Sequence, residues 1–514
     1  MDLVAELARF NPDPALMASL SATLLQAQKD ADQITRQRAE IHTKDIKIQA
    51  LTLELAHHKR MRFANKSEAF SPQQQQLFEE SLRTDESAIE AEVEQIAARP
   101  KKRSRTGRQP LPDHLPRIEH RHEPESCNCG QCGKALIKIA EDVSEQLDVE
   151  PARFFVHRHI RPQYACRACE TVVAAAIPAA VIDGGLAAPG LHAWVMIQKY
   201  LDHLPLYRIE QISARSGVPI ARSTLAEWVG KIGVALQPLA DRLAELLKQH
   251  AILHADETPV QQLDPGAGKT KRAYLWAYRS SSLDMGAPIV VFDYQPSRSG
   301  SHVRTFLEGW QGHLMVDDYS GYKELFRQGV TELGCLAHAR RKLFELHAAN
   351  GHPVAAEALA RIAELYAIES ATAGWGPIAR QAQREREAKP KLIALHGWLW
   401  EQRHRTADGS ALAKAIDYSL KRWEALSRYV QDGRYPIDNN PIENAIRPIA
   451  IGKKNWLFAG SERAGRRAAA IQTLLATAKL NGIEPLAWLT DTLEKLPIWP
   501  HSRIDELLPL RAST

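Results

Sequence analysis

Long hydrophobic runs are missing from this chain of 514 residues. The most apolar stretch, residues 171–181, is short and is interrupted by Pro178. The opening residues carry no positive charge, so the start does not match a secretory signal peptide. A membrane-spanning helix needs about 20 mainly apolar residues. We therefore expect neither a membrane span nor export, and we expect a cytoplasmic location.

Cysteine is also scarce, because the chain has six and five of them lie between Cys127 and Cys169. In a chain without export signals, this clustering favours metal binding over disulfide bonds. Two Cys-x-x-Cys pairs can place four thiolates around one tetrahedral ion, the arrangement that zinc prefers. The pairs consist of Cys129 and Cys132 and of Cys166 and Cys169. We predict a structural zinc ribbon over residues 126–182, and the role of Cys127 stays open.

Glycine and proline are absent from residues 15–64, which predicts a long helix within a first segment, residues 1–70. Along this helix an apolar residue recurs every seven positions, at Ile34, Ile41, Ile48 and Leu55. Polar Gln37 and Lys44 occupy the companion row that a coiled coil needs. The pattern is therefore compatible with self-association through a coiled coil and also with a helix that packs on its own chain.

A strong excess of one charge is lacking as well, since the formal net charge is only +5. Local basic clusters therefore matter more than the total. Most residues of 99–108 are basic, and they lie in a segment without periodicity, 71–125, which we interpret as a flexible linker. Its cations can follow a phosphate backbone or simply keep the linker solvated. The candidate DNA contacts in this linker are Lys101, Lys102, Arg103, Arg105 and Arg108.

Residues 183–249 are expected to form a helical domain that contains a helix-turn-helix. The pattern is a helix over 206–212, a turn that includes Gly217 and a second helix over 223–229. In such a motif the start of the second helix enters the major groove of DNA. The candidate base-reading residues are Arg222, Ser223 and Thr224. Similar helical hairpins also occur in proteins that never bind DNA, and that alternative stays open.

Short apolar runs rich in strand-forming residues follow from residue 250 onwards. They cover residues 251–260, 273–278, 288–293 and 313–319. A helical stretch over 302–310 precedes the fourth run, and residues 331–336 lead into the helix that carries His338. Three strands, a helix, a strand and a helix is the order of an RNase H-like core. We predict such a core over 250–343 and 433–482. The helical stretch between its two parts, 344–432, reads as an insertion.

Three acidic residues fall where such a core can bring them together. Asp256 and Asp317 lie at the ends of predicted strands. Glu443 falls in the first turn of a helix that the cap residues at 438–440 and Pro441 introduce. Carboxylate oxygens are the ligands that Mg²⁺ or Mn²⁺ prefers, and two such ions can promote phosphodiester displacement. We therefore predict a two-metal site formed by these three carboxylates.

Basic residues on and after the same helix are suited to phosphate binding. Arg447 follows Glu443 by one helical turn, and Lys453 and Lys454 come shortly afterwards. By itself this pattern also fits a capped surface helix with an ordinary ion pair. The aspartates upstream are what favour the functional interpretation.

At these residues the chain resembles the bacterial transposases of insertion sequence family 66, which belong to the DDE superfamily. The resemblance covers nearly the whole chain, and the combination of its motifs is highly specific. The motifs are residues 59–63, the cysteine knuckles, 203–208, 256–260, 317–322, 438–443 and 452–458, with a similar tail over 485–509.

The resemblance implies that Asp256, Asp317 and Glu443 are the catalytic triad of a magnesium-dependent enzyme. It also implies terminal repeats and target DNA as partners, a homo-oligomer of at least two chains, accessory proteins encoded by the same element, and a place at the bacterial nucleoid. Cys335 and His338 resemble a Cys-x-x-His pair that supports the core in several DDE families. Asp318 is a departure, because the family usually has glycine after the second aspartate.

We therefore predict a multidomain α/β protein. Its parts are a long N-terminal helix, a zinc ribbon, a helix-turn-helix-like domain, an RNase H-like core with an all-helical insertion, and a short helical tail over 483–514. The expected activity is DNA strand cleavage and strand transfer at the ends of an insertion sequence. Two alternatives remain: an RNase H-like nuclease that never joins strands, and a DNA-binding regulator whose core is inert.

Overall fold

The structure is a computed structural model that describes residues 111–511 apart from 112, 114, 124–127, 129–133, 151–152 and 265–268. It also describes isolated positions between 23 and 84. The chain is a mixed α/β protein with two separate sheets.

The first sheet has four strands in the order β1-β3-β2, with β4 paired to β3. The strands are β1 (Arg117–Arg121), β2 (Ile137–Glu150), β3 (Arg153–Ala165) and β4 (Val172–Ala174). β2 and β3 form an antiparallel hairpin, and β1 lies parallel to β3. Leu147, Phe154 and Val156 are buried because their face of the sheet packs on the helices that follow.

Three helices come next, namely α1 (Pro189–Tyr200), α2 (Leu206–Arg215) and α3 (Arg222–Leu247). The turn between α2 and α3 contains Gly217 at φ 77°, a left-handed conformation that glycine adopts without strain. A helical hairpin is therefore present where the sequence predicts one. α3 is longer than predicted, with 26 residues, and Trp228, Leu236 and Leu243 on it are buried in the main core.

The second sheet has five strands in the order β7-β6-β5-β8-β9. The strands are β5 (Ile252–Asp264), β6 (Lys269–Ser280), β7 (Val290–Gln295), β8 (His313–Val316) and β9 (Thr331–Gly334). β5, β6 and β7 form an antiparallel meander, whereas β8 lies parallel to β5 and β9 lies parallel to β8. α4 (Gly300–Phe306) connects β7 to β8, and α5 (Lys323–Arg327) connects β8 to β9.

A helical segment with its own hydrophobic core follows β9. Its helices are α6 (Leu336–Asn350), α7 (Pro353–Ala371), α8 (Pro377–Gln383), α9 (Lys389–His404), α10 (Ala411–Lys421) and α11 (Trp423–Ser427), with a π-helical turn at Arg384–Ala388. Arg384 is fully buried, and it pairs with Glu369 at 2.6 Å. It also donates to the carbonyl oxygens of Tyr429, Asp432 and Tyr435. Because its charge is paired and its donors are satisfied, this arginine can cross-link the segment from within.

The chain then returns to the five-stranded sheet through α12 (Asn440–Trp456), α13 (Glu462–Leu480) and α14 (Pro485–Lys495). α13 covers β7, which is an edge strand. The backbone nitrogens of Val290 and Phe292 donate to the hydroxyl oxygens of Thr477 and Thr473, at 3.2 and 2.8 Å. These side chains occupy two backbone donors of β7 that would otherwise be open to pairing with another strand.

Of the isolated positions described before residue 111, Ile34, Ile41 and Ile48 are helical and exposed. Leu55, the fourth residue of the predicted repeat, lies outside the described residues, and the coiled coil stays a prediction. In the part of the chain that the structure covers, no helix has both the length and the hydropathy of a membrane span.

Candidate active site

Asp256 and Asp317 meet where β5 runs beside β8. His254 is paired with Met315 in the parallel register, and continuing that register along both chains sets Asp256 opposite Asp317. Asp256 Oδ1 accepts a hydrogen bond from the backbone nitrogen of Glu257 at 2.9 Å. Burial, followed by the negative charges of Glu257, Asp317 and Glu443, raises the pKa of Asp256 to about 8.

The structure separates Asp317 from its neighbour Asp318. Asp317 Oδ1 accepts from the backbone nitrogen of Tyr319 at 2.8 Å, and its charge acts on Asp256. The side chain of Asp318 is 49% exposed and lies 3.6 Å from the guanidinium of Arg422. Asp317, rather than Asp318, is therefore the aspartate that joins Asp256 and Glu443. We call these three residues the carboxylate cluster.

Glu443 reaches the cluster from the first turn of α12. Its Oε2 atom accepts from Arg341 at 3.2 Å, and its Oε1 atom is 3.8 Å from His338 Nδ1. Both partners lie on α6. The Oε1 atom is buried and has no hydrogen-bond partner among the described residues. The cation that pairs with Glu443 is thus Arg341, which is remote in sequence, rather than Arg447 on the same helix.

Asn439 attaches the start of α12 to β5. It is fully buried, its Nδ2 atom donates to the carbonyl oxygen of Ala255 at 2.9 Å, and its Oδ1 atom lies 2.9 Å from His254 Nδ1. Burial lowers the pKa of His254 to about 4, so this ring is neutral and donates through Nδ1. α12 begins at the predicted place, but the side chain of Asn439 holds the sheet instead of capping the helix.

Asp438 links the same point to the helical segment. Its carboxylate accepts from Asn440 and, at 2.9 Å, from the hydroxyl of Tyr366 on α7. Burial raises the pKa of Asp438, although the hydrogen bonds from Asn440 and Tyr366 act to lower it. The start of the helix that carries Glu443 is therefore held both by the five-stranded sheet and by the helical segment.

Cys335 and His338 have different surroundings. Cys335 Sγ accepts from the backbone nitrogen of Asn439 at 3.2 Å, and burial raises the pKa of this thiol to about 12. A thiol that stays protonated is a poor metal ligand. Burial lowers the pKa of His338, while the charges of Glu443 and Asp317 oppose the change. Cys335 thus supports the core, and His338 lies at the edge of the carboxylate cluster.

The carboxylate cluster suits a hard divalent cation. The raised pKa of Asp256 marks a place where positive charge is lacking, and the buried Oε1 atom of Glu443 has no hydrogen-bond partner among the described residues. Across the residues that the structure describes, no three metal-binding side chains already have the arrangement of a formed metal site.

The basic residues predicted to bind DNA are distributed as follows. Arg447 and Lys454 are exposed on α12, and Lys453 donates to the carbonyl oxygen of Pro259 at 3.0 Å. Arg222, Ser223 and Thr224 form the first turn of α3 and are half-buried. The linker residues Lys101, Lys102, Arg103, Arg105 and Arg108 lie outside the described residues.

Arg222 has a structural partner. Its backbone nitrogen donates to Glu210 Oε1 at 3.0 Å, and its guanidinium lies 3.4 Å from Glu210 Oε2. Glu210 therefore supplies the cap that the N-cap residue Ala221 lacks. A role for Arg222 in base reading would have to coexist with this contact.

The zinc knuckle that the structure describes is a tight turn. Cys166 is buried, its backbone nitrogen donates to the carbonyl oxygen of Thr171 at 3.0 Å, and Cys169 Sγ lies 3.3 Å from Thr171 Oγ1. Cys127, Cys129 and Cys132 lie outside the described residues. An isolated antiparallel bridge joins Asn128 to Ala135.

Four histidines on the first sheet form two hydrogen-bond relays that sequence reasoning missed. They are His120 on β1, His122 directly after β1, and His157 and His159 on β3. His120 Nε2 lies 2.7 Å from His157 Nδ1, and His157 Nε2 lies 2.6 Å from Asp148. His122, His159 and Gln146 repeat this order at 2.9 and 3.2 Å. Burial and the charges of the other histidines lower the pKa of His159 to about 4. The His-x-His spacing in both strands was the available signal.

Known protein families match the chain along most of its length. The profile described as Transposase IS66 family matches residues 184–467, and the IS66 C-terminal element matches 473–510. The zinc-finger binding domain of transposase IS66 matches 126–170, which supports a structural zinc at the knuckles. The profile described as Transposase C of IS166 homeodomain matches 50–119.

Two relatives that match most of the chain come from Sinorhizobium fredii (strain NBRC 101917 / NGR234). The uncharacterized protein y4qI is 38% identical over 497 residues, which is 93% of this chain and 92% of the relative. The uncharacterized protein y4hP is 33% identical over 489 residues, or 90% and 88% of the two chains. With a family profile that spans more than half of its residues, the chain belongs to the IS66 family of transposases.

Proposed function

We propose that this protein is a DDE transposase that cleaves DNA at the ends of its insertion sequence and joins the new ends to target DNA. The observation that carries the proposal is the approach to one another of Asp256 within β5, Asp317 directly after β8 and Glu443 in the first turn of α12. Carboxylate oxygens are the ligands that hard divalent cations prefer.

The five-stranded sheet supports the proposal. An antiparallel meander of β7, β6 and β5, extended on the β5 side by parallel β8 and β9, is the strand order of an RNase H-like core. Asp256 lies on the central strand β5, Asp317 directly follows the adjacent strand β8, and the helix with the glutamate follows the helical insertion. Fold alone does not determine chemistry. The chemistry is therefore inferred from the three carboxylates, and the sheet explains how they come together.

Each residue of the site has a definable task in this mechanism. Asp256, Asp317 and Glu443 would hold Mg²⁺ or Mn²⁺, which when bound activates the attacking oxygen and stabilises the leaving one. Arg341 and His338 orient the carboxylate of Glu443. Asn439 fixes the start of α12 against β5. We assign contacts with DNA phosphates to Arg447 and Lys454, which are exposed on the same helix.

The remaining modules would deliver DNA to this site. We assign general phosphate attraction to the basic linker and sequence reading to the start of α3, with zinc stabilising the first sheet. The protein would act as a homo-oligomer of at least two chains at the bacterial nucleoid, together with accessory proteins of the same element.

The test is product analysis with purified protein, DNA carrying the element's ends and supercoiled target in magnesium buffer. We expect strand cleavage that leaves a 3′ hydroxyl, followed by joined products, and no reaction after chelation. Cleavage without joining under any condition would favour a purely hydrolytic nuclease. Specific binding without any cleavage would favour a DNA-binding regulator with an inert core.

A further inference from the structure

An ion pair with a buried carboxylate lies directly beside the carboxylate cluster. Arg298 precedes α4, and Glu257 follows Asp256 on β5. Arg298 Nε donates to Glu257 Oε1 at 2.6 Å, and one terminal nitrogen lies 2.5 Å from the same oxygen. The side chain of Glu257 is 1% exposed, whereas that of Arg298 is 44% exposed. The pair therefore hides its carboxylate and leaves its guanidinium partly open to solvent.

Two tyrosines fix this pair. The hydroxyl of Tyr322 donates to Glu257 Oε2 at 2.9 Å, and the guanidinium carbon of Arg298 lies 3.9 Å from the ring centre of Tyr319. The hydroxyl of Tyr319 donates to the carbonyl oxygen of Arg298, and its backbone nitrogen donates to Asp317 Oδ1. The guanidinium is thus held in one plane beside the strand end that carries Asp317.

These contacts give Glu257 a task other than metal binding, because both of its oxygens already accept hydrogen bonds. Burial raises the pKa of Glu257, and Arg298 opposes that rise. Burial also acts to lower the pKa of Arg298, but the hydrogen bond and charge of Glu257 and the charge of Asp317 outweigh it. Arg298 therefore remains a cation, and it lies within electrostatic reach of the carboxylate cluster.

We propose that Arg298 binds a phosphate of the DNA strand in the active site, with Glu257 and Tyr319 as positioning residues. The second terminal nitrogen of Arg298 makes no hydrogen bond with any residue that the structure describes. An arginine whose plane is already fixed loses little freedom when its open N–H edge meets a phosphate. This inference rests on the proposed function, because it concerns the substrate of that site.

The test measures DNA affinity as a function of salt without magnesium, so that no strand is cut. Each lost phosphate contact lowers the slope of log affinity against log salt by about 0.9. For Arg298→Gln, the change in Kd between 50 and 200 mM salt should therefore be about 3.5-fold smaller than for the wild type. Arg298→Lys keeps the charge and should retain most of the slope, but it should cleave more slowly because the fork geometry is lost.

Two variants control for folding and for net charge. Glu257→Gln combined with Arg298→Gln removes both charges, so no carboxylate is left buried without a partner, and this double variant should fold yet keep the reduced slope. Arg327→Gln removes a cation from α5 that is 74% exposed and paired with Glu324. Its salt slope should equal that of the wild type.

The inference is overturned if Arg298→Gln and the double variant keep the wild-type slope, because Arg298 is then only structural. It is also overturned if Arg327→Gln lowers the slope equally, since net charge alone would then explain the effect. The proposed function fails separately, if the wild-type protein never cuts DNA in magnesium.

Discussion

Replacing Asn439 by alanine should damage both stability and catalysis, because this residue is the physical link between α12 and β5. Its side chain makes two buried hydrogen bonds, one with His254 Nδ1 and one with the carbonyl oxygen of Ala255, each at 2.9 Å. Alanine can make neither hydrogen bond. Water cannot replace them, because Ala255 is 1% exposed and His254 is fully buried.

The magnitude follows from the partners that are left behind. An unsatisfied buried donor or acceptor costs about 1–3 kcal/mol, so Asn439→Ala should lower the free energy of unfolding by about 2–6 kcal/mol. Glu443 lies one helical turn from Asn439 and depends on it for its position. A displacement of about 1 Å in a reacting group can reduce a rate about 100-fold, and we expect a loss of that order in strand cleavage.

Asn440→Ala provides a matched control, because the neighbouring asparagine is exposed and donates only to Asp438. Its substitution should cost less than about 1 kcal/mol and leave cleavage within a few-fold of wild type. Urea denaturation compares the free energy of unfolding of the two variants, and a cleavage assay compares their activity. Equal effects of the two substitutions in both assays would refute the role that we assign to Asn439.

Three further predictions concern the other modules. Cys166→Ser should abolish zinc binding and unfold the first sheet while the five-stranded sheet stays folded, and metal analysis with limited proteolysis would detect this; full zinc occupancy would contradict it. Because the pKa of His159 falls from 6.5 to about 4 on folding, the folded state binds fewer protons, so stability should decline as pH falls from about 6.5 to 4 and level off below. Denaturation at several pH values should show a smaller decline for His159→Gln than for wild type, and an identical decline would refute the relay. Arg222→Ala should weaken binding to the element's end more than to unrelated DNA, whereas an equal loss for all sequences in a binding assay would disprove base reading at the start of α3.

Local sequence signals predicted much of this fold. The cap residues before Pro441 predict a helix start, and α12 begins at Asn440. The apolar run over 251–260 predicts a strand, and β5 begins at Ile252. The family was also predicted correctly, because its motifs are short and contiguous. Such features depend on neighbours in the chain, which the sequence displays directly.

The contacts that complete the candidate site could not be predicted in this way. Arg341 and Glu443 are 102 positions apart, and the sequence instead suggested the nearer Arg447 as partner. The tie from Asn439 to Ala255 spans 184 positions. The cap that Glu210 supplies to Arg222 depends on how α2 packs against α3. Each contact is decided by tertiary packing, for which side-chain spacing along the chain carries no signal.

The central claim is that Asp256, Asp317 and Glu443 form one metal-dependent site, and the most direct test compares cleavage by Asp317→Asn with cleavage by Asp318→Asn. The two substitutions change adjacent residues in the same way, but only Asp317 belongs to the carboxylate cluster, while Asp318 is 49% exposed beside Arg422. In magnesium buffer, Asp317→Asn should lose cleavage by roughly 1,000-fold or more, as expected for a member of a catalytic unit, and Asp318→Asn should stay within about tenfold of wild type. An inactive Asp318→Asn beside an active Asp317→Asn would contradict the assignment, and full activity in both would contradict the carboxylate site itself.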